Sequence, residues 1–306
     1  MSARVTCVGI VTLDQVYEVP AIGAGGGKVV ASSRSLCAGG MAATAAAAAA
    51  RLGAKVEFWG RLGRDSVGDF LSDALVEAGI GIGGLLRCKE GSSPSSAVLK
   101  DLAGERLIAA FPGSGFAVSA EDLPLDSIGA ETVVLADLRW AQGGATAFQR
   151  ARSLAAPTVL DADIGDAETV DVLGRMADHI IFSQPGLCAF TGKDSVGSAL
   201  AEAGRHFDGL VSVTLGADGV LWLDDGQEHR LPAPRINPRD TTGAGDVFHG
   251  AFALAVAERR AIEACFKFAS AAAAAKCLNG TGWQSLPDRR QADAIETTTY
   301  RSMSHA

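Results

Sequence analysis

Asp240-Thr241-Thr242-Gly243-Ala244-Gly245-Asp246, running into the amphipathic stretch 247–258, reads as a glycine-rich turn that opens directly into a helix. The first N–H groups of such a helix lack intrahelical acceptors and point at whatever lies over its start, so an anion sits well there. Asp246 sets a carboxylate in the same first turn, where the helix end favours negative charge and keeps the group ionised. A phosphate cradle and a base within one turn suggest phosphoryl transfer.

Working outward, apolar strand-like runs at 5–10, 56–59, 133–136, 158–160, 179–182 and 210–214 alternate with helical stretches at 42–52, 67–78, 145–154 and 199–207. That alternation predicts an α/β fold, a mainly parallel sheet with helices on both faces and ligands beyond the strand C-termini. Residues 15–36 and 95–111 break the pattern with short alternating strands and no crossover helix. The second carries a hairpin signal at Asp101-Leu102-Ala103-Gly104.

The composition excludes several classes of function. With 306 residues, 48% hydrophobic and 20% charged, the chain can bury a large core, and its net charge of -8 argues against nucleic acid or an anionic membrane as the main partner. Cys7, Cys37, Cys88, Cys188, Cys265 and Cys277 show no CxxC spacing, so zinc and a disulfide framework are disfavoured. The first apolar run, Val5-Thr6-Cys7-Val8-Gly9-Ile10-Val11, is too short for a signal-peptide core and reads as a buried strand, which predicts a cytoplasmic protein. The alanine runs 45–50 and 271–275 read as closely packed core helices, short of the roughly 20 apolar residues that a bilayer requires. Gly23-Ala24-Gly25-Gly26-Gly27-Lys28 mimics a P-loop, but its spacing fails and Val29 follows the lysine.

The full string 240–246 resembles the C-terminal signature of the PfkB, or ribokinase-like, carbohydrate kinases. Gly39-Gly40-Met41-Ala42-Ala43-Thr44-Ala45, with Gly60-Arg61-Leu62-Gly63-Arg64-Asp65-Ser66-Val67-Gly68 further on, is similar to the N-terminal one. The resemblance implies a single domain over 1–306, a three-layer αβα sandwich in which 15–36 and 95–111 form a small β-sheet lid over the sugar. It makes Asp246 the base and Gly243, Ala244 and Gly245 the anion hole, with Asp14, Gly39, Gly40 and Thr44 at the sugar. Ser183, Thr214, Gly216, Asp218, Gly219, Thr242, Asn279 and Gly282 fall to the nucleotide. It further implies ATP and Mg²⁺, a monovalent cation such as K⁺ near Asp240 and Thr242, and a homodimer formed through the lid.

The chain departs from the family pattern at two of these places. Thr44 stands where many members carry a sugar-binding asparagine, and Ser183-Gln184-Pro185-Gly186 stands where many carry Asn-x-x-Glu. His249 reads as a packed helix residue. Ala136-Asp137-Leu138-Arg139-Trp140, Val159-Leu160-Asp161-Ala162-Asp163-Ile164 and Phe182-Ser183-Gln184-Pro185-Gly186-Leu187 are most similar to the bacterial sulfofructose kinase branch. There a lid lysine and an arginine contact the sulfonate, which places Lys28 and Arg139 at the substrate, while the branch's third contact falls on Ala110. A neutral ketohexose such as fructose is the alternative acceptor. A non-catalytic sugar or nucleotide sensor is the alternative of another class, against which Asp246 in an intact anion hole argues.

Overall fold

The computed structural model describes residues 3–23, 27–116 and 119–301. In chain order its elements begin with β1 (Arg4–Val8), β2 (Thr12–Glu18), β3 (Ser33–Gly39), α1 (Met41–Arg51), β4 (Lys55–Gly63), α2 (Ser66–Glu77) and β5 (Gly81–Cys88). There follow β6 (Ser95–Lys100), β7 (Arg106–Phe111), β8 (Thr132–Asp137), α3 (Ala141–Ser153), β9 (Thr158–Ala162), α4 (Ala167–Gly174) and β10 (His179–Ser183). The chain then forms α5 (Gln184–Thr191), α6 (Val196–His206), β11 (Leu210–Thr214), β12 (Val220–Asp224) and β13 (Gln227–Leu231). Three helices close it: α7 (Ala244–Ala257), α8 (Ile262–Asn279) and α9 (Arg289–Tyr300). Among the described residues no helix is long and apolar enough to cross a membrane.

Nine strands form one sheet in the order β13-β12-β11-β10-β9-β8-β1-β4-β5, parallel except at the β11–β12 and β12–β13 pairings. Side chains of successive strand residues point to opposite faces, and both faces are apolar. Val5, Val133, Val159 and Ile181 pack toward α1, α2, α7, α8 and α9, while Val8, Val134, Leu160 and Phe182 pack toward the layer of α3 to α6. The result is the ribokinase-like three-layer arrangement. Strand order reverses at β1, which lies between β4 and β8, so a crevice opens beyond the C-terminal ends of these strands.

That crevice is pinned by one buried carboxylate. Asp137, the last residue of β8, accepts from the N–H groups of Ile10 at 2.9 Å, Ala42 at 3.0 Å and Arg139 at 2.8 Å. Burial pushes its carboxyl up to about 6 in spite of these donors, and Asp161 adds to the rise. Gly9 makes room for it, because a Cβ there would lie 2.2 Å from the Asp137 carboxyl carbon.

The small sheet has the order β3-β2-β6-β7, antiparallel except for the parallel pair β2–β6. Its strands run three residues past the predicted 15–36 at each end, since Thr12 pairs with Gly39 and Asp14 with Cys37. Cys37-Ala38-Gly39 carries no alternation of apolar and polar residues, so sequence pattern ends the strand early. The predicted hairpin turn forms: Asp101 accepts from the N–H groups of Ala103 and Glu105, both at 2.9 Å, and Gly104 adopts φ 88°. Strand β5 was not anticipated, because glycine weakens a strand signal. Gly84 is there for packing, as a Cβ would lie 2.2 Å from the Trp59 ring.

Candidate active site

A cavity of about 890 Å³ lies between the small sheet and the C-terminal edge of the large one. Asp14, Gly39, Gly40, Thr44, Arg139, Asp240, Thr242, Gly243, Asp246 and Gly282 all line it, although they come from segments spread over most of the chain. Lys28 is exposed and is not part of this lining. Part of its surrounding stretch, residues 24–26, lies outside the described residues.

The start of α7, where the sequence places an anion hole, has an unusual cap. Helices α2, α6 and α9 begin with Asp65, Ser195 and Asp288, whose side chains accept from the third residue on. Among the described residues no side chain does this for α7, whose N-cap is Gly243 at φ 73°. The amide of Ala244 turns back onto the carbonyl of Thr241 at 3.2 Å, which leaves those of Gly245 and Asp246 to the cavity side, where phosphate oxygens would satisfy them.

Asp246 stands in that first turn, and its charge is set by a group of carboxylates behind it. Burial raises its pKa well above the ordinary range, Asp161 raises it further, and His249 opposes the rise. The helix end was expected to keep this group ionised; its field is outweighed by desolvation and by like charges. His249 is packed in the helix as predicted, 5% exposed, with Nδ1 3.1 Å from Asp161 Oδ2. Neither ring nitrogen makes an aligned hydrogen bond, so the contact is charge pairing. Burial works against a charge on His249, but Asp161, Asp246 and Asp163 outweigh it and raise its pKa.

At the other end of the cavity, Asp14 lies inside β2. It accepts from Ser96 Oγ at 2.7 Å, and Gly39 leaves it space, since a Cβ there would lie 2.4 Å from Asp14 Oδ2. Burial raises the Asp14 pKa and the Ser96 hydroxyl lowers it. Thr44 Oγ1, on the cavity wall, accepts from the indole N–H of Trp283 at 3.1 Å. Arg139 donates from Nη2 to the carbonyl of Ile164 at 3.1 Å.

Asp240 is the most heavily contacted residue of the site. Its Oδ1 accepts from Thr242 N at 2.9 Å, Thr242 Oγ1 at 2.7 Å and Arg106 Nη2 at 2.8 Å, and its Oδ2 from Thr281 Oγ1 at 2.5 Å. Arg106 Nη1 also reaches Thr242 Oγ1. Burial opposes ionisation of Asp240, but the hydrogen bonds from Thr281, Thr242 and Arg106 prevail and hold its carboxyl well below the usual range. Its main-chain carbonyl accepts from Lys276 Nζ at 3.1 Å. The residues expected to hold a monovalent cation thus have their oxygens engaged by protein donors.

Sequence reading missed Arg106, Lys276, Trp283 and the role of Asp137. A lone lysine inside the apolar run that ends α8 was the one available signal, because an unpaired buried ammonium is costly.

The residues assigned to the nucleotide lie along the adjoining edge. Ser183 and Thr214 sit side by side at the ends of β10 and β11. Ser183 Oγ donates to Asp163 at 2.6 Å and accepts from Gly186 N at 3.0 Å, so its hydroxyl caps α5. Gly216 and Asp218 form an exposed turn. Gly219 is required both by its φ of 98° and by packing, since a Cβ would lie 2.0 Å from the carbonyl oxygen of Leu231. Asn279 Nδ2 donates to the carbonyl of Ser285 at 3.1 Å and closes α8 onto the following turn. Among the described residues no group of three or more His, Cys, Asp or Glu is arranged to hold a metal.

The profile of the pfkB family carbohydrate kinases matches residues 2–289. A ribokinase of Haemophilus influenzae is 26% identical over 299 residues, covering 95% of this chain and 97% of that one. A fructokinase of Vibrio alginolyticus is 29% identical over 229 residues, 70% of this chain and 75% of the other. The structure of Arabidopsis thaliana ribokinase complexed with ribose and ATP superimposes with a TM-score of 0.86 at 24% identity, over 97% of this chain and 99% of that one.

Proposed function

Because this chain belongs to the pfkB family of carbohydrate kinases and is an ATP-dependent sugar kinase, we propose that its acceptor is a ketohexose-type sugar and that Asp246 is its general base. The observation that carries this reading is that Asp246, at the uncapped start of α7, shares one cavity with Asp14, Gly39 and Gly40. Asp246 takes the proton of the acceptor hydroxyl, the freed oxygen attacks the γ-phosphorus, and the bond to the departing ADP breaks. The amides of Gly243, Gly245 and Asp246 hold the phosphoryl oxygens as charge builds on them, while that of Ala244 is bonded to Thr241. ATP lies along Ser183, Thr214, Gly216–Asp218, Gly219, Thr242, Asn279 and Gly282, and Mg²⁺ arrives on its phosphates, since that ion keeps several waters and needs few protein ligands.

The finer reading takes 6-deoxy-6-sulfofructose to its 1-phosphate. Arg139 on the cavity wall supports it, as a guanidinium suits a fixed anion. The exposed position of Lys28 and the methyl group of Ala110 favour a neutral ketohexose instead. Coupled ADP release on sulfofructose, fructose, fructose 6-phosphate, tagatose and ribose separates the two. If the acceptor is anionic, Arg139→Met raises its KM by about tenfold to hundredfold and leaves fructose unaffected. Equal effects on both sugars, with fructose preferred by the unaltered enzyme, would sink the sulfosugar reading. Binding of sugar and ATP with no turnover would sink the kinase reading in favour of a sensor.

Assembly through the small sheet belongs to the same proposal. Edge strand β7 exposes Leu107, Ile108 and Phe111, at 54%, 57% and 44%, and an exposed apolar edge is normally covered. Sedimentation should give a dimer that Ile108→Lys turns into a monomer. A monomeric unaltered protein would exclude this interface.

A further inference from the structure

Lys276 is the most constrained of the buried charges that phosphoryl transfer leaves without a role. It is 2% exposed, in the otherwise apolar last turns of α8, and its ammonium donates to the main-chain carbonyl of Asp240 at 3.1 Å. That carbonyl begins the turn Asp240–Gly243, which sets the direction of α7 and therefore the position of both the anion hole and Asp246. The neighbouring carbonyl of Cys277 accepts from the N–H groups of Arg239 at 2.8 Å and Asp240 at 3.2 Å. The carboxylate of Asp240 is shared among Thr242, Thr281 and Arg106.

A monovalent cation at this place would have to take these same oxygens as ligands. Each already receives a proton donor, and the ammonium repels a second cation at such short range. The residues therefore do not fit the ion that the family resemblance implies. An ammonium on a lysine stem carries one positive charge and three donors, and here it is delivered to the turn by α8 itself.

We propose that Lys276 is a tethered cation that fixes the Asp240–Gly243 turn, so that this kinase works without added K⁺. Lys276 also borders the cavity, but its role here is that of a positioning residue, acting on the reaction through the turn. The inference rests on the kinase reading, so its test includes a measurement that needs no turnover.

Turnover and melting temperature are measured in potassium, sodium and tetramethylammonium chloride at equal ionic strength. The unaltered enzyme should give the same turnover and the same melting temperature in all three. Lys276→Met should lose roughly tenfold to hundredfold in turnover, and potassium or methylammonium should raise both its turnover and its melting temperature. Potassium-specific stimulation of the unaltered enzyme would overturn the proposal. So would a Lys276→Met variant as fast as the parent, or a loss that neither cation restores. If Lys276→Met does not fold, the salt comparison on the unaltered enzyme decides alone. If no sugar is turned over in any salt, the kinase reading fails, while a potassium-specific rise in the parent's melting temperature still separately overturns the tethered cation.

Discussion

Replacing Asp246 by asparagine is expected to lower kcat by about 10²–10⁴-fold, the usual cost of losing a general base, while ATP binding and the fold persist. Asparagine keeps the shape of the side chain but cannot take the proton. The pKa of Asp246 is raised, by burial first and then by Asp161, so kcat/KM of the unaltered enzyme should climb as pH rises through a value above the ordinary carboxylate range. The stability effect has the opposite sign. A folded-state pKa above the unfolded one gives a contribution that is full below the unfolded value and is lost as pH rises through the folded value. Asp246→Asn escapes that loss and should melt no lower than the parent at a pH above the raised value, where the parent must place a charge among Asp137, Asp161 and Asp163. Single-turnover kinetics and melting curves across pH check both points. Near-parental turnover in the asparagine variant would remove Asp246 as the base, and a lower melting point would show that its charge is not strained.

Gly250→Ala should be strongly damaging although it adds a single methyl group outside the site. A Cβ at Gly250 would lie 2.2 Å from the carbonyl oxygen of Ala45 and 3.0 Å from its Cα, so the obstacle is backbone and cannot swing away. Helices α1 and α7 meet there, backbone against backbone. Overpacking of a tight core costs about 1–3 kcal/mol, and here it also pushes on the helix that carries Asp246. Gly197→Ala is the control: in α6 the nearest atom to its added Cβ lies 3.9 Å away, and alanine suits a helix better than glycine. It should be neutral or slightly stabilising. Equal losses of melting temperature in the two variants would refute the account based on close approach.

The chemistry of the site was written locally. Gly243, Ala244, Gly245 and Asp246 lie within one helical turn, so the phosphate cradle and the base follow from 3.6-residue geometry and the orphan N–H groups of a helix start. The α/β class was equally legible, since β8, β9, β10 and β11 are short buried runs bounded by helical stretches. Pattern failed where residues are small. Gly39 and Gly84 lie in strands where the Asp14 carboxylate and the Trp59 ring need their space, and those neighbours are remote in the chain.

What tertiary structure alone decided is which distant groups converge. Asp137 reaches Ile10 and Ala42 across 127 and 95 residues to pin the crevice. His249 meets Asp161 behind the base, and Trp283 meets Thr44 across 239 residues. Arg106 crosses from the small sheet to Asp240, and Lys276 closes on the same residue from α8. The sequence pointed to the carboxylate proposed to take the proton, because a helix turn is a local object. Its pKa and the fixing of its turn depend on charges brought within a few ångströms by folding, and electrostatic energy depends on that distance and on burial rather than on separation along the chain.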